Sequence, residues 1–244
     1  MAVVSALPAQ LRFRLARSLG NFNPQGAQNV LDEIFGSLST ENALSQVVIP
    51  YLEGLESATV RTASSVAHIQ FATSLLETRL LALASGWESG GDPTVVIAYP
   101  GDEQHTFAGL AFGLVLRGRG WRIVHLGTGT PVQAAADIAH AANAELVVLV
   151  ARDPAILAAI RDPLARLVSH RRLALAGAGA TAALARDVGA EVLSPDPVAA
   201  ATELTVRVRT PSPVGPRPGG PRPAARSATK SVQPRRVPAL YSSE

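Results

Sequence analysis

The sequence predicts an α/β protein in which an N-terminal four-helix bundle precedes a doubly wound, five-stranded parallel sheet, with a disordered C-terminal tail. Three observations support this. Residues 8–88 place apolar side chains at helical spacing, residues 93–206 alternate short apolar runs with amphipathic helices, and residues 207–244 offer almost nothing to pack. We therefore expect three segments with these boundaries.

The first segment is predicted to be helical throughout. Apolar residues recur at helical spacing in LRFRLARSL, NVLDEIFGSL, ALSQVVIPYLEGLE and SVAHIQFATSLLETRLLALA. Pro24, the STE of residues 39–41 and Pro50 mark boundaries between these helices. The stretch GWESGGDP, residues 86–93, is typical of a linker because of its turn-forming residues.

The second segment alternates strands with helices. Each predicted strand precedes a helix, and the helix after the third strand is predicted to run unbroken over residues 154–170. This alternation indicates a flavodoxin-like sheet with helices on both faces, in which ligands bind at the carboxyl ends of the strands. The strands are TVVIAYP (94–100), WRIVHLG (121–127), ELVVLVA (145–151), RLALAGAG (172–179) and EVLS (191–194).

The charge of the third segment differs from that of the rest. The chain has a formal net charge of +3, but the segment from Arg207 onward holds eight Lys and Arg residues and one acid, which leaves residues 1–206 with a net charge of −4. Direct nucleic-acid binding is therefore expected, if at all, only through the basic tail. A solubilising extension is the simpler interpretation of that tail.

Composition excludes several other classes of site. The sequence has no Cys, which rules out disulfides, thiolate metal ligands and a cysteine nucleophile. No apolar run approaches the roughly 18 residues that span a bilayer, and the first residues lack the order of a signal peptide. We expect a cytoplasmic protein without membrane contact.

His105 is the candidate functional residue at the sheet edge. It lies in AYPGDEQHTFAG, residues 98–109, where the loop after the first strand becomes a helix. A neutral imidazole is a good transition-metal ligand when a carboxylate fixes its second nitrogen, and Glu103 could be that partner. One histidine cannot hold a free ion, so a cofactor such as a corrin ring would supply the remaining ligands. The alternative is an ordinary surface histidine.

The motif EQHTFAG, followed by LGTGTP (126–131), resembles the cobalamin-binding domain of corrinoid proteins and B12-dependent methionine synthase. That family's pattern is Asp/Glu-x-His-x-x-Gly, then Ser-x-Leu, then Gly-Gly. The preceding bundle and linker are similar to the sensor half of MerR-type cobalamin-dependent photoreceptor regulators. The resemblance implies that the bundle covers the upper face of a corrin and that the α/β domain takes its lower face and its nucleotide tail.

The resemblance also implies which residues bind the cofactor. His105 is the lower axial ligand of cobalt in the base-off state, Glu103 stands behind it, and Gly127 and Thr130 line the side of the nucleotide tail. The bound form, adenosyl-, methyl- or hydroxocobalamin, is left open. The predicted set is Glu103, Gln104, His105, Gly127, Thr130, Val150, Gly177, Gly179 and Gln70, with His105 as the metal ligand.

Several positions depart from the lower part of the family pattern. Ala108 occupies the motif glycine, with Gly109 next to it. Val150 stands where the Ser-x-Leu serine is expected, and the Gly-Gly step keeps only Gly177 and Gly179. We expect a tail pocket that is altered but still small and apolar, because alanine adds only a methyl group to a glycine.

The upper part departs further. Residues 58–61 contain no Trp, and Ile69 and Gln70 replace the Glu and His of the photoreceptor signature. Gln70 or His68 could face the cofactor, but not both, because two residues along a helix are about 200° apart. Light switching of the adenosyl type is therefore not expected.

The implied function is that of a non-enzymatic, cobalamin-binding sensory or regulatory protein in transcriptional control. No catalytic residues are predicted, since no Ser-His-Asp set, paired acids or phosphate loop can be assembled. No helix-turn-helix precedes the bundle, so a DNA-binding regulator is expected as a separate partner. Two alternatives are a corrinoid carrier for methyl transfer and a degenerate scaffold that binds no corrinoid.

Overall fold

Helices make up the N-terminal part of the described chain, and a parallel sheet with its covering helices makes up the rest. The computed structural model describes residues 2–57, 62–87 and 91–209. The α/β fold class predicted from the sequence is confirmed, with the helical region first and a five-stranded parallel sheet second. The predicted tail lies outside the described residues from residue 210 onward.

The predicted helical stretches of the bundle are all present. Asn23 accepts a hydrogen bond from the Gly26 N–H just before Pro24, and Ser39 accepts one from the Asn42 N–H, so two predicted boundaries are helix N-caps. The first helix already begins at Ala2, ahead of the predicted residue 8. The helices are α1 (Ala2–Gly20), α2 (Pro24–Ser37), α3 (Thr40–Ala43), α4 (Ile49–Glu56) and α5 (Ala63–Leu83).

Pro50 does not end a helix as the sequence predicted. A π-helical turn, Leu44–Val48, joins α3 to α4, and the Ile49 N–H donates to the Leu44 carbonyl five residues back. Pro50 then lies in the first turn of α4, directly after the π-helical turn, where the register of the helical hydrogen bonds changes and its missing N–H is tolerated. The chain therefore remains helical from α3 to the end of α4.

The predicted linker, residues 86–93, is partly incorporated into the fold. Trp87 is buried, and its ring lies edge-on to the ring of His125 at a centroid distance of 5.5 Å. The first strand already begins at Gly91, which pairs with Trp121 of the neighbouring strand. Residues 88–90 lie outside the described residues.

The sheet has the strand order β2-β1-β3-β4-β5, and all its pairs are parallel. β3 is the central strand, and the order of the strands reverses between β1 and β3, so the loops after these two strands meet at the switch point. β4 ends earlier than predicted because Gly177 adopts a positive φ of 85° and turns the chain out of the sheet. The strands are β1 (Gly91–Tyr99), β2 (Trp121–Thr128), β3 (Leu146–Val150), β4 (Leu173–Ala176) and β5 (Glu191–Val192).

The helix predicted over residues 154–170 is two helices. Ile160 leaves the helical conformation, with φ −110° and ψ 22°. Pro163 is the cause, because in an unbroken helix its ring would clash with the Ala159 carbonyl and its missing N–H would leave that carbonyl unbonded. The helices of this half are α6 (Phe107–Gly118), α7 (Val132–Ala141), α8 (Pro154–Ala159), α9 (Arg161–Val168), α10 (Ala182–Val188) and α11 (Pro197–Arg209).

Alternate residues of β1 face two different cores. Val95, Ile97 and Tyr99 pack with α6, α11 and the N-terminal bundle, and Val96 and Ala98 pack with α7 to α10 on the other face. The bundle therefore shares one continuous apolar core with the first face of the sheet.

A charged contact also fixes the bundle to this layer. Arg119, which follows α6, donates to both carboxylate oxygens of Glu41 in α3 at 2.9 and 3.0 Å, and to the Thr202 hydroxyl of α11 at 2.8 Å. One guanidinium thus joins the bundle, α6 and α11.

Close contact between α6 and β1 depends on Gly109. A Cβ added at Gly109 would lie 2.1 Å from the hydroxyl oxygen of Tyr99. Tyr99 cannot move aside easily, because it is fully buried and its hydroxyl donates to the Thr106 carbonyl at 3.0 Å. Gly109 thus sets the distance between the helix and the sheet.

Replacing Gly109 with alanine should lower the free energy of unfolding by about 3 kcal/mol, the upper end of the cost of overpacking a core. Urea denaturation measures this change. Gly118→Ala is the matched control on the same helix, since nothing lies within 4 Å of its added Cβ, and it should be neutral or slightly stabilising. Equal effects of the two substitutions would contradict the packing argument.

Candidate functional site

A cleft of about 1500 Å³, measured out to its open mouth, lies between the bundle and the carboxyl edge of the sheet. The loops after β1, β3 and β4 form one wall, and α4 and α5 form the other. The lining includes Ile49, Leu52, Glu53, Ile69, Gln70, Thr73, Ser74 and Glu77 from the bundle, and Gln104, His105, Phe107, Ala108, Val150, Arg152, Gly177 and Pro195 from the α/β part.

His105 is held on the sheet side of the cleft by Glu103. The Glu103 Oε1 atom accepts from both the backbone N–H and the ring Nδ1 of His105, each at 2.8 Å. The other carboxylate oxygen accepts from the backbone N–H of Arg152, in the loop after β3. Glu103 is 3% exposed, whereas the His105 side chain is 58% exposed. The carboxylate is therefore an internal anchor, and the imidazole extends from it into the cleft.

These contacts keep Glu103 ionised. Burial alone would raise its pKa, but the hydrogen bonds from Arg152 and His105 outweigh burial and hold the pKa below the ordinary value of 4.5. With Nδ1 donating to the carboxylate, the neutral His105 ring has its lone pair on Nε2. The arrangement presents one nitrogen ligand of fixed orientation, unlike that of an ordinary surface histidine.

The bundle wall places Gln70 at the cleft and His68 elsewhere. His68 lies against Tyr51, whose hydroxyl is 3.2 Å from the His68 Nε2 atom, and its ring is 5.9 Å from that of Phe22. Ile69 and Gln70 line the cleft. Of the two candidates for the upper side, Gln70 is thus the one in place, and residues 58–61, where a Trp was sought, lie outside the described residues.

Val150 and Gly177 line the cleft and also a narrow adjoining cavity of about 20 Å³ between the sheet, α6 and α11. The walls of this cavity are almost entirely apolar, with Ser194 as the one hydroxyl side chain among the described residues that line it. Ala108, at the position of the motif glycine, lies where the two spaces meet.

Gly177 and Gly179 serve the packing of two loops. A Cβ at Gly177 would lie 2.4 Å from the Ala151 carbonyl oxygen, and one at Gly179 would lie 2.8 Å from the backbone of Asp153. The Gly179 N–H donates to the Ala151 carbonyl at 3.0 Å. Both glycines therefore allow the loop after β4 to approach the loop after β3, and Gly179 is not among the residues that line the cleft.

Gly127 and Thr130 lie apart from both cavities. The Thr130 hydroxyl donates to the Gly127 carbonyl at 2.6 Å, and the Thr130 N–H donates to the Tyr99 carbonyl at 3.0 Å. The family resemblance implied that they line the side of the nucleotide tail. In the structure their hydrogen bonds close the turn after β2 and attach it to the end of β1. Gln104 lines the cleft beside His105.

Glu77 is a site residue that the sequence reasoning missed. Its Oε1 atom accepts from the Thr106 N–H, the Thr106 hydroxyl and the Phe107 N–H at 2.8–2.9 Å. Glu77 lies in α5, 29 residues before Thr106, and belongs to no motif. From the sequence, only the location of Glu77 on the face of α5 that contacts α6 could have indicated a role at the site.

Tyr99 and His125 support the same loop from below. The Tyr99 hydroxyl donates to the Thr106 carbonyl and lies 3.1 Å from the His125 Nε2 atom. Burial, and then the charges of Glu77 and Glu103, raise the pKa of Tyr99, and burial lowers the pKa of His125. Both groups are thus neutral, and His125 is a packed residue of β2.

The described residues hold neither a cluster of metal ligands nor a membrane-spanning helix. In residues 2–57, 62–87 and 91–209, no three His, Asp or Glu side chains are grouped to hold a metal ion. No helix in those ranges is long and apolar enough to cross a membrane.

Comparison with known proteins gives the fold. No protein-family model and no curated protein matches the sequence. The monomethylamine corrinoid protein of Methanosarcina barkeri has a similar structure, with a TM-score of 0.64 and 15% identity over 82% of this chain and 99% of that one. A cobalamin-binding protein from Desulfitobacterium hafniense DCB-2 gives a TM-score of 0.42 at 17% identity, over 80% of this chain and 96% of that one. At 15% identity, the first likeness establishes a common fold.

Glu103→Gln should destabilise the protein by about 2–3 kcal/mol near pH 7. Both carboxylate oxygens accept from N–H groups, so the amide nitrogen of glutamine would face a donor, which leaves buried donors unpaired. Because the pKa of Glu103 is depressed in the folded state, its contribution is complete above the unfolded value of 4.5 and is lost as pH falls through the lower folded value. The free energies of unfolding of the variant and the wild type are measured from pH 7 to pH 3. The difference between them should shrink as the pH falls.

Asp102→Asn provides the control for this measurement. Asp102 is exposed and adjacent to Glu103 in sequence, and a surface substitution of this kind costs within about 0.5 kcal/mol. A difference between Glu103→Gln and wild type that stays constant from pH 7 to pH 3 would contradict the assignment.

Proposed function

We propose that the protein binds cobalamin in the cleft, with His105 as the lower ligand of cobalt, and that it acts as a regulatory protein through a partner. The observation that carries the proposal is the His105 imidazole, whose Nδ1 is fixed by buried Glu103 and whose Nε2 is left for a ligand in the cleft. A carboxylate behind a metal-bound imidazole fixes its tautomer and raises its basicity.

The residues of the cleft fit a corrinoid. A single imidazole suits a metal whose other coordination positions are filled by an organic ring. The walls of the narrow cavity beside Val150 and Ala108 are apolar, as an aromatic tail entering between the sheet and α6 would require, and the bundle wall of Ile69, Gln70 and Thr73 faces the opposite side of the cleft. When bound, a corrinoid supplies a cobalt ion with an exchangeable upper ligand.

The regulatory role is supported by the resemblance of the bundle and linker to the sensor half of regulators. A non-enzymatic role is part of this proposal. A DNA-binding regulator is the partner we propose, with a cytoplasmic location.

A corrinoid carrier for methyl transfer is the second candidate. The similarity to the monomethylamine corrinoid protein of Methanosarcina barkeri, over nearly the whole of that chain, favours it. The two roles share the binding site and differ in the partner. A methylated protein that passes its methyl group to an acceptor in a reconstituted methyltransferase assay would support the carrier, and retention of the methyl group would favour the regulator.

His105→Ala should weaken cobalamin binding by about tenfold or more and change the absorption spectrum of what remains bound, because a metal–imidazole contact is lost. The wild type and the variant are incubated with hydroxo-, methyl- and adenosylcobalamin, and bound cofactor is recorded in the dark and after illumination. His170→Ala, an exposed histidine far along the chain, is the control and should behave as wild type.

Two outcomes would contradict the proposal. A His105→Ala protein that retains all its corrinoid with an unchanged spectrum would remove His105 as ligand. A wild-type protein that shows no thermal shift and no bound cofactor at micromolar cobalamin would favour the degenerate scaffold.

A further inference from the structure

The N-terminus of α6 is capped by the bundle. Thr106, the N-cap residue, makes no capping bond with its own side chain. Instead, Glu77 of α5 accepts from the Thr106 N–H, the Thr106 hydroxyl and the Phe107 N–H, all with one oxygen at 2.8–2.9 Å. The first N–H groups of a helix have no partner within it, and a carboxylate there is also favoured by the helix dipole.

This capping contact adjoins His105 directly. Glu103 holds the backbone N–H of His105, and Glu77 holds the N–H of the next residue, Thr106. The Thr106 carbonyl accepts from buried Tyr99 below it. The backbone that presents the imidazole is thus fixed on one side by the α/β part and on the other by the bundle.

We infer that Glu77 is a positioning residue that makes cobalt ligation by His105 depend on the docking of the bundle against α6. This inference rests on the proposed function. Any displacement of α5 from α6 breaks three hydrogen bonds at Thr106 and Phe107 and frees the loop on that side. Because coupling is reciprocal, ligation that orders the loop also favours the docked bundle. A change in cobalt ligation therefore changes how stably the bundle docks against α6. A partner that binds the bundle can detect this change.

The chain offers a matched control at the opposite end of the same helix. Glu41 is also a bundle carboxylate that contacts the α6 region, through two bonds to Arg119 just after the helix. Its loss removes one contact at the far end of α6, but the shared apolar core keeps the bundle docked and the contacts of the His105 loop remain in place. Comparing Glu77 with Glu41 separates positioning of the loop from docking in general.

The test uses the full chain loaded with cobalamin and reduced to the Co(II) form. Electron paramagnetic resonance at fixed pH gives the fraction of cobalt with a nitrogen lower ligand, and titration gives the dissociation constant. Glu77→Ala should lose most of the nitrogen-ligated signal and bind about tenfold more weakly. Glu77→Gln, which keeps an acceptor oxygen, should recover most of the signal, and Glu41→Ala should keep the wild-type signal despite a lower unfolding free energy.

Amide hydrogen exchange in the cofactor-free chain provides a second readout. Exchange at Thr106 and Phe107 should be faster in Glu77→Ala than in Glu41→Ala. A wild-type signal in Glu77→Ala, or an equal loss of signal in Glu41→Ala, would overturn the inference. If the wild type binds no corrinoid, the proposed function fails and so does the ligation claim, whereas the exchange comparison still decides whether Glu77 fixes the loop.

Discussion

The buried carboxylate of Glu103 is the interaction on which the candidate site depends. It accepts hydrogen bonds from two loops that follow neighbouring strands, through the N–H groups of His105 and Arg152. A buried carboxylate without such partners would be protonated or would destabilise the fold. The loops after β1 and β3 are therefore held together by the same group that orients the imidazole, so the integrity of the sheet edge and the direction of His105 cannot be separated.

The second constraint is the position of α6, which has the sheet on one face and the bundle on the other. Gly109 and Gly113 allow close contact, because a Cβ at either would clash with Tyr99 or Trp87. The bundle contacts both ends of the helix with carboxylates, Glu77 at its start and Glu41 near its end. The cleft owes its width to this arrangement, since α5 and the His105 loop are both positioned by α6.

Features encoded locally were predictable from the sequence, whereas pairings between distant segments were not. The helices, the strands and the Glu103–His105 pair follow from periodicity and from neighbours two residues apart. Glu77 acts across 29 residues and has no sequence signal. The break at Ile160 was missed because the apolar period continues through Pro163. The sequence also does not show that Gly177 and Gly179 let the loop after β4 approach the loop after β3, because the two loops are distant along the chain.

The two walls of the cleft differ in how firmly they orient side chains that could bind a ligand. On the sheet side, His105 has one orientation, enforced by a buried charge and by backbone bonds on both of its flanks. On the bundle side, Gln70 and Ser74 are exposed side chains of α5, and no imidazole is presented there by the described residues. The described residues would therefore hold a metal-containing cofactor through one imidazole, that of His105 on the sheet side. Under the proposed function, that asymmetry would let the output of the protein depend on what occupies the side of the cleft that faces the bundle, and the carboxylate of Glu77 connects that wall to the His105 loop.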